Sequence, residues 1–191
     1  MGWHGACVEP FPSGFETRGC QLVQRAIYPR SNEVVVFENV EQGRTVTGGL
    51  STGQAEPWPW PWPPWRAAIG AAAAHRPLHA RTISFTDLLI TTGAPPFVNF
   101  ISLDVEGQEL PALQTFPFEK YEVGIWIVEH NHNEAQRAKI AEVLRAKGGY
   151  LRQNVSNPGV DDYYTHPTRT KYTPALNSKP FRTHPRGTHG C

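Results

Sequence analysis

The chain has no excess of charge of one sign, few cysteines and no long apolar run. Eighteen basic against 17 acidic side chains leave a formal net charge of +1 over 191 residues. That balance excludes a global field that would draw the protein to nucleic acid or anionic lipid, so any function must come from a local site. Cys7, Cys20 and Cys191 show no metal-ligand spacing. An odd count in a chain of this size is no disulfide framework, and the three are expected as small buried residues plus a free terminal thiol. No stretch stays apolar for more than about ten residues before Asp, Glu or Pro interrupts it, so no membrane span is expected. The first residues, MGWHGACVEP, lack the basic start and apolar run of a signal peptide, and a soluble, cytoplasmic protein is the expectation.

Proline and glycine, by contrast, are plentiful at 18 and 17 residues, while hydrophobic residues make up only 39%. Much of the excess falls in EPWPWPWPPWRAAIGAAAAHRP, residues 56 to 77, where proline at every second position denies the backbone both helix and ladder hydrogen bonds. The last 25 residues, from Pro167, carry scattered apolar side chains and are expected to be loosely ordered. The organisation read from this is one domain over residues 1 to 166, interrupted by a Trp/Pro/Ala insertion at 54 to 80, with a tail at 167 to 191. The Trp-Pro strip also offers a protein partner a proline-rich docking segment.

Elsewhere the chain alternates strand and helix patterns. GACVE (5 to 9), CQLVQRAIYP (20 to 29) and NEVVVFENV (32 to 40) read as strands, the last two joined by the turn signal PRSN. A short helix is predicted around Phe85, Leu88 and Leu89, capped by Thr82 or Ser84 and stopped by Gly93 and two prolines. The strand FVNFISL follows, then a helix in QELPALQTF that tolerates Pro111 only in its first turn. YEVGIWIVEHN is a second apolar strand, and NEAQRAKIAEVLRAKGG a helix that Asn133 caps and Gly148 ends. GYLRQNV and VDDYYTH close the pattern as an antiparallel strand pair at one end of the sheet. Strands apolar on both faces and separated by helices predict a mostly parallel sheet covered on both sides, a doubly wound α/β sandwich.

Three strands end in acids: Glu9 after ACV, Asp104 after FISL, and Glu129 with His130 after GIWIV. In an open parallel sheet ligands bind beyond the carboxyl ends of the strands, so these side chains are expected along one rim. A carboxylate has two oxygens that can meet the two hydroxyls of a ribose. Glu106 and Glu109 follow Asp104 closely. Two further readings of these acids remain open: decoration of a helix N-terminus, above all for Glu109, and a hard-cation site made of Asp104, Glu106, Glu129 and His130.

The stretch FISLDVEGQELPALQTFPFEKYEVGIWIVEHN, with ISFTDLLITTGAP upstream and GGYLRQN and DDYYTH downstream, resembles the FkbM family of S-adenosylmethionine-dependent methyltransferases. GWHGACVEPFPSGFETRGCQLVQRAIYP is similar to the family's Trp-x-Gly turn and the strand ending in Glu-Pro. The resemblance implies a Rossmann-like class I fold and methyl transfer to a hydroxyl of a sugar, lipid or secondary metabolite. It implies that Glu9 and Pro10 hold the cofactor ribose, that the backbone near Ala26 lines the adenine, and that Asp104 lies by the methionine end. Glu106 and His130 would then face the acceptor, with His130 as a general base. The family's first strand and glycine-rich turn have no counterpart before Trp3, so the expected sheet lacks that strand. Beside this enzyme reading stand an inactive fragment or interaction scaffold on the same fold, and a metal-dependent hydrolase at the acidic rim.

Overall fold

The computed structural model describes residues 4–12, 14–15, 18–37, 50–51, 78–155 and 159–168. The Trp-Pro strip, the SNP part of the expected SNPG turn and the tail beyond Thr168 lie outside the described residues. Ten strands are described: β1 Ala6–Val8, β2 Gln21–Val23, β3 Ala26–Ile27, β4 Val34–Phe37, β5 Leu50–Ser51, β6 Leu78–Ile83, β7 Phe97–Leu103, β8 Glu122–Glu129, β9 Leu151–Arg152 and β10 Asp161–Thr165. Three helices accompany them: α1 Phe85–Thr91, α2 Glu109–Gln114 and α3 Glu134–Gly148. No described helix is long and apolar enough to cross a membrane.

The strands form three sheets, ordered β1-β2, β3-β6-β4-β5 and β7-β8-β10-β9. β1-β2, β3-β6 and β7-β8 pair in parallel, whereas β4-β5, β4-β6, β8-β10 and β9-β10 are antiparallel. The fold is therefore mixed α/β and corrects the expectation of one mostly parallel sheet. The cause lies in β6, whose LHARTI carries no clear strand signature and begins inside the insertion expected at 54 to 80, so residues 78 to 80 belong to the sheet instead. It pairs with β3 on one side and β4 on the other, so the two expected neighbours in 20 to 40 are separated rather than joined as a hairpin. The antiparallel closing pair β9-β10 stands at one end of its sheet, as its turn signal implied.

Local chemistry accounts for the helices. Ser84 Oγ accepts the Asp87 N–H to cap α1, and Asn133 Oδ1 accepts the Gln136 N–H to cap α3. α3 ends at Gly148, as expected, and its C-cap Gly149, at φ 73°, takes the left-handed conformation that glycine adopts without penalty. Pro111 sits in the first turn of α2, where its missing N–H breaks no helical bond.

Packing is one-sided. Val123, Trp126 and Val128 of β8 join Leu103 of β7 and the apolar sides of all three helices in one cluster. Trp126 is fully buried at its centre, edge-on to Phe85, Phe116 and Tyr150. The alternate residues Ile125, Ile127 and Glu129 are only half-buried, and Phe100 on β7 is 43% exposed. A continuous apolar run thus hides a period-two burial pattern. A smaller cluster of Ala26, Val35, Phe37 and Ala80 holds the β3-β6-β4-β5 sheet.

One covalent link departs from expectation. Cys7 and Cys20 form a disulfide with Cα atoms 5.7 Å apart, tying β1 to the residue preceding β2. Parallel pairing of Cys7 with Leu22 brings the two sulfurs together across strands, which sequence spacing alone does not reveal.

Candidate active site

β7 and β8 run in parallel with Leu103 beside Val128, so the residues that follow, Asp104 and Glu129, emerge side by side. Their carboxyl oxygens lie within 4.8 Å of each other. Asp161 of β10 lies opposite Glu129 in the antiparallel register. Three strands thus deliver acids to one edge.

Directly after Asp104 the backbone turns sharply. Glu106 has φ 55° and Gly107 φ 96°, both left-handed. The turn is fastened from below by Glu109, which is 1% exposed: its Oε1 accepts the N–H groups of Val105 at 2.9 Å and Gly107 at 3.1 Å. Oε2 accepts the side-chain amide of Gln136 at 2.9 Å. Burial raises the Glu109 carboxyl above its ordinary value, although the backbone N–H bonds oppose the shift.

Glu106 is half-buried, and its carboxyl is pushed up to about 7, first by burial and then by the charges of Asp104, Glu109 and Glu9. Glu129 is pushed up to about 8 by burial, then by the neighbouring Asp104 and by the charges of Glu109 and Glu106. Asn131 also donates to Glu129 Oε2 at 2.7 Å. Burial and Asp104 raise Asp161 as well. Of the rim expected from the sequence, the structure brings Asp104 and Glu129 together; β1 pairs with β2 in a sheet of its own, and Glu9 enters as the last of the charges that raise Glu106.

Glu9 stands just beyond β1, where its Oε1 accepts the Phe11 N–H at 3.1 Å. The Gln24 side-chain amide donates to the Pro10 carbonyl at 3.3 Å, which draws the Glu9–Pro10 bend towards the connection leading to Ala26. Ala26 itself is buried, paired with Thr82 of β6.

His130 occupies a different environment. It is 3% exposed; its Nδ1 accepts the His132 N–H at 3.1 Å, and its Nε2 faces Asp162 Oδ1 at 3.9 Å. Burial holds the imidazole below its ordinary value despite Asp162. Asp162, 2% exposed, takes a bidentate pair from Arg137 at 2.7 and 2.8 Å and longer contacts from Arg152 and the Tyr164 hydroxyl. Burial would raise the Asp162 carboxyl, but the Arg137 bonds outweigh it and hold the group low. Sequence reading missed this network, because Arg137 and Asp162 are 25 residues apart and nothing local marks them as partners.

Asp104, Glu109 and Glu129 can each present an oxygen so that all three lie within 4.8 Å of one another, a span that a hard cation could bridge. Glu109 takes the place that the metal reading gave to Glu106 and His130. Both of its oxygens are already engaged by three donors, which leaves it a weak candidate ligand.

A carboxylate-lined rim fits a cationic methyl donor by charge. The model for the methyltransferase FkbM domain matches residues 1–154. No curated protein and no solved structure is significantly similar to the chain. With the family model covering most of its length and the acidic turn standing at the rim, the chain belongs to the FkbM methyltransferase family and is a methyltransferase.

Proposed function

We propose that the protein transfers a methyl group from S-adenosylmethionine to a hydroxyl oxygen of a small molecule, sugar or lipid. The observation that carries this reading is that Asp104 and Glu129 emerge side by side from the ends of parallel β7 and β8, with the sharp turn at Glu106 directly after. Bound there, the cofactor would supply an electrophilic methyl group on a sulfonium. Glu9 and Pro10 would hold its ribose and the backbone at Ala26 its adenine, as the family resemblance implies. Asp104, exposed beside Glu129, would stabilise the positive end.

Methyl transfer from a sulfonium asks the protein mainly to orient the partners and to accept a proton. Glu106 suits the proton acceptance: at about 7 it is divided between acid and base near neutrality, and its left-handed turn sets it apart from the strand. The buried His130 ring faces Asp162, so we assign it to holding the β8 end rather than to the proton. Glu129, pushed up to about 8, keeps its proton at neutral pH, which limits repulsion with Asp104.

Calorimetric titration with S-adenosylhomocysteine tests the reading. Binding by the wild-type chain, weakened about ten-fold or more by Glu9→Ala and by Asp104→Ala, supports it. Absence of binding by the wild type, or binding unchanged in both variants, overturns it.

A further inference from the structure

An acid at the start of a helix ordinarily supports that helix. Glu109 instead reaches back. Its carboxylate accepts from Val105 and Gly107, which precede α2, and the α2 cap residue Gln108 makes no side-chain capping bond. Glu109 is therefore an anchor for the turn that carries Glu106. A carboxylate buried to this degree is tolerable only when its oxygens are fully engaged. Two of the three donors are backbone groups of the turn, and the third is Gln136, from the first turn of α3 and 27 residues away. Gln136 is itself fixed: its N–H is capped by Asn133, whose own N–H donates to the His130 carbonyl at 2.7 Å. A continuous chain of bonds thus runs from the end of β8 through the start of α3 to the end of β7.

We propose that Gln136 is a positioning residue for the methyl-transfer site: it holds the Glu109 carboxylate in place, and Glu109 in turn fixes the Val105–Gly107 turn so that Glu106 faces the acceptor. This rests on the reading of Glu106 given above. Without Gln136, Glu109 Oε2 loses its described donor in a buried place, and the carboxylate rotates or draws in water. Either change releases the two N–H groups of the turn. Only a residue that offers an amide N–H at this position preserves the arrangement, unless the two partners exchange chemistry. In the paired variant Glu109→Gln with Gln136→Glu, the carbonyl of the new amide accepts the Val105 and Gly107 N–H groups while its NH2 donates to the carboxylate now on α3.

Amide hydrogen exchange and carbon-detected titration of the Glu side chains test this without an acceptor. In Gln136→Leu, the Val105 and Gly107 amides are expected to exchange about ten-fold faster or more, while those of Trp126 and Val128 in β8 stay protected. In the paired variant protection returns, and in Gln136→Leu the Glu106 midpoint moves away from about 7, because the released turn no longer holds that carboxyl in its half-buried place. A merely stabilising bond would not move that midpoint. Unchanged exchange at Val105 and Gly107 in a folded Gln136→Leu overturns the proposal. Should that variant fail to fold, the paired variant decides: kept protection supports the proposal, lost protection overturns it. In the wild type, Val105 and Gly107 must exchange at least about ten-fold slower than an unstructured chain, and equal rates also overturn it. The S-adenosylhomocysteine titration, run on the same wild-type sample, separates failure of the methyl-transfer reading from failure of this one.

Discussion

Asp104 and Glu129 follow two paired parallel strands side by side, with carboxyl oxygens within 4.8 Å of each other. Burial and the neighbouring Asp104 charge hold the Glu129 proton well above the ordinary carboxyl range.

The consequence for stability has a definite sign. Glu106 and Glu129 titrate at about 7 and about 8 in the folded chain, both above the ordinary 4.5. The folded state binds these protons more tightly than the unfolded state does. Their contribution is fully present below pH 4.5 and is lost as pH rises through about 7 and about 8. Scanning calorimetry should show a midpoint that falls between about pH 4.5 and about pH 8, with a shallower fall in Glu129→Gln. A wild-type midpoint that is flat or rising over that window would contradict the assignment.

The Asp162 network makes a prediction of opposite pH sense. Asp162 is held low by Arg137, so its contribution is present above the ordinary carboxylate range and disappears under acid conditions. Asp162→Ala leaves the Arg137 guanidinium without its bidentate partner, and urea unfolding should report a loss of about 3–5 kcal/mol. A loss under about 1 kcal/mol would mean that the pair is idle.

Gly124 lies where β8 runs against β7. A Cβ there would stand 2.6 Å from the Asn99 carbonyl oxygen, a backbone atom that cannot swing aside. Gly124→Ala should therefore cost about 1–3 kcal/mol in chemical denaturation. Because the strain falls between the two strands that carry Asp104 and Glu129, the Glu129 midpoint should shift as well.

Reduction of the Cys7–Cys20 bond should loosen β1, which is otherwise held to β2 by only three residue pairs. Replacing both cysteines by serine is expected to lower stability by about 2–4 kcal/mol and to weaken S-adenosylhomocysteine binding through Glu9. Equal affinity before and after reduction would show that Glu9 keeps its place without the link.

Strands with strong apolar runs, such as FVNFISL and EVGIWIVE, and helices with explicit caps, such as the one starting at Asn133, were legible from residue type alone. The neighbouring places of Asp104 and Glu129 were legible too, because parallel pairing brings strand ends together, whereas Glu9 follows β1, which pairs with β2 in another sheet. β6 was not, since LHARTI becomes a strand only by lying between β3 and β4. Nor was the burial of His130: a histidine two residues past a buried valine in period-two register points to the same side, a signal outweighed in the sequence reading by its suitability as a base. Gln136 carried no local mark, because its partner arrives from another element.

The strand that lies between β8 and β9 is the last one described, Asp161–Thr165, and it begins beyond residue 154, where the family match stops. A polypeptide cut at the edge of that homology would lose Asp162 and Tyr164 from its interior and leave β8 with a bare flank. The folding unit therefore reaches at least to Thr165, and boundaries drawn from kinship alone would cut through it.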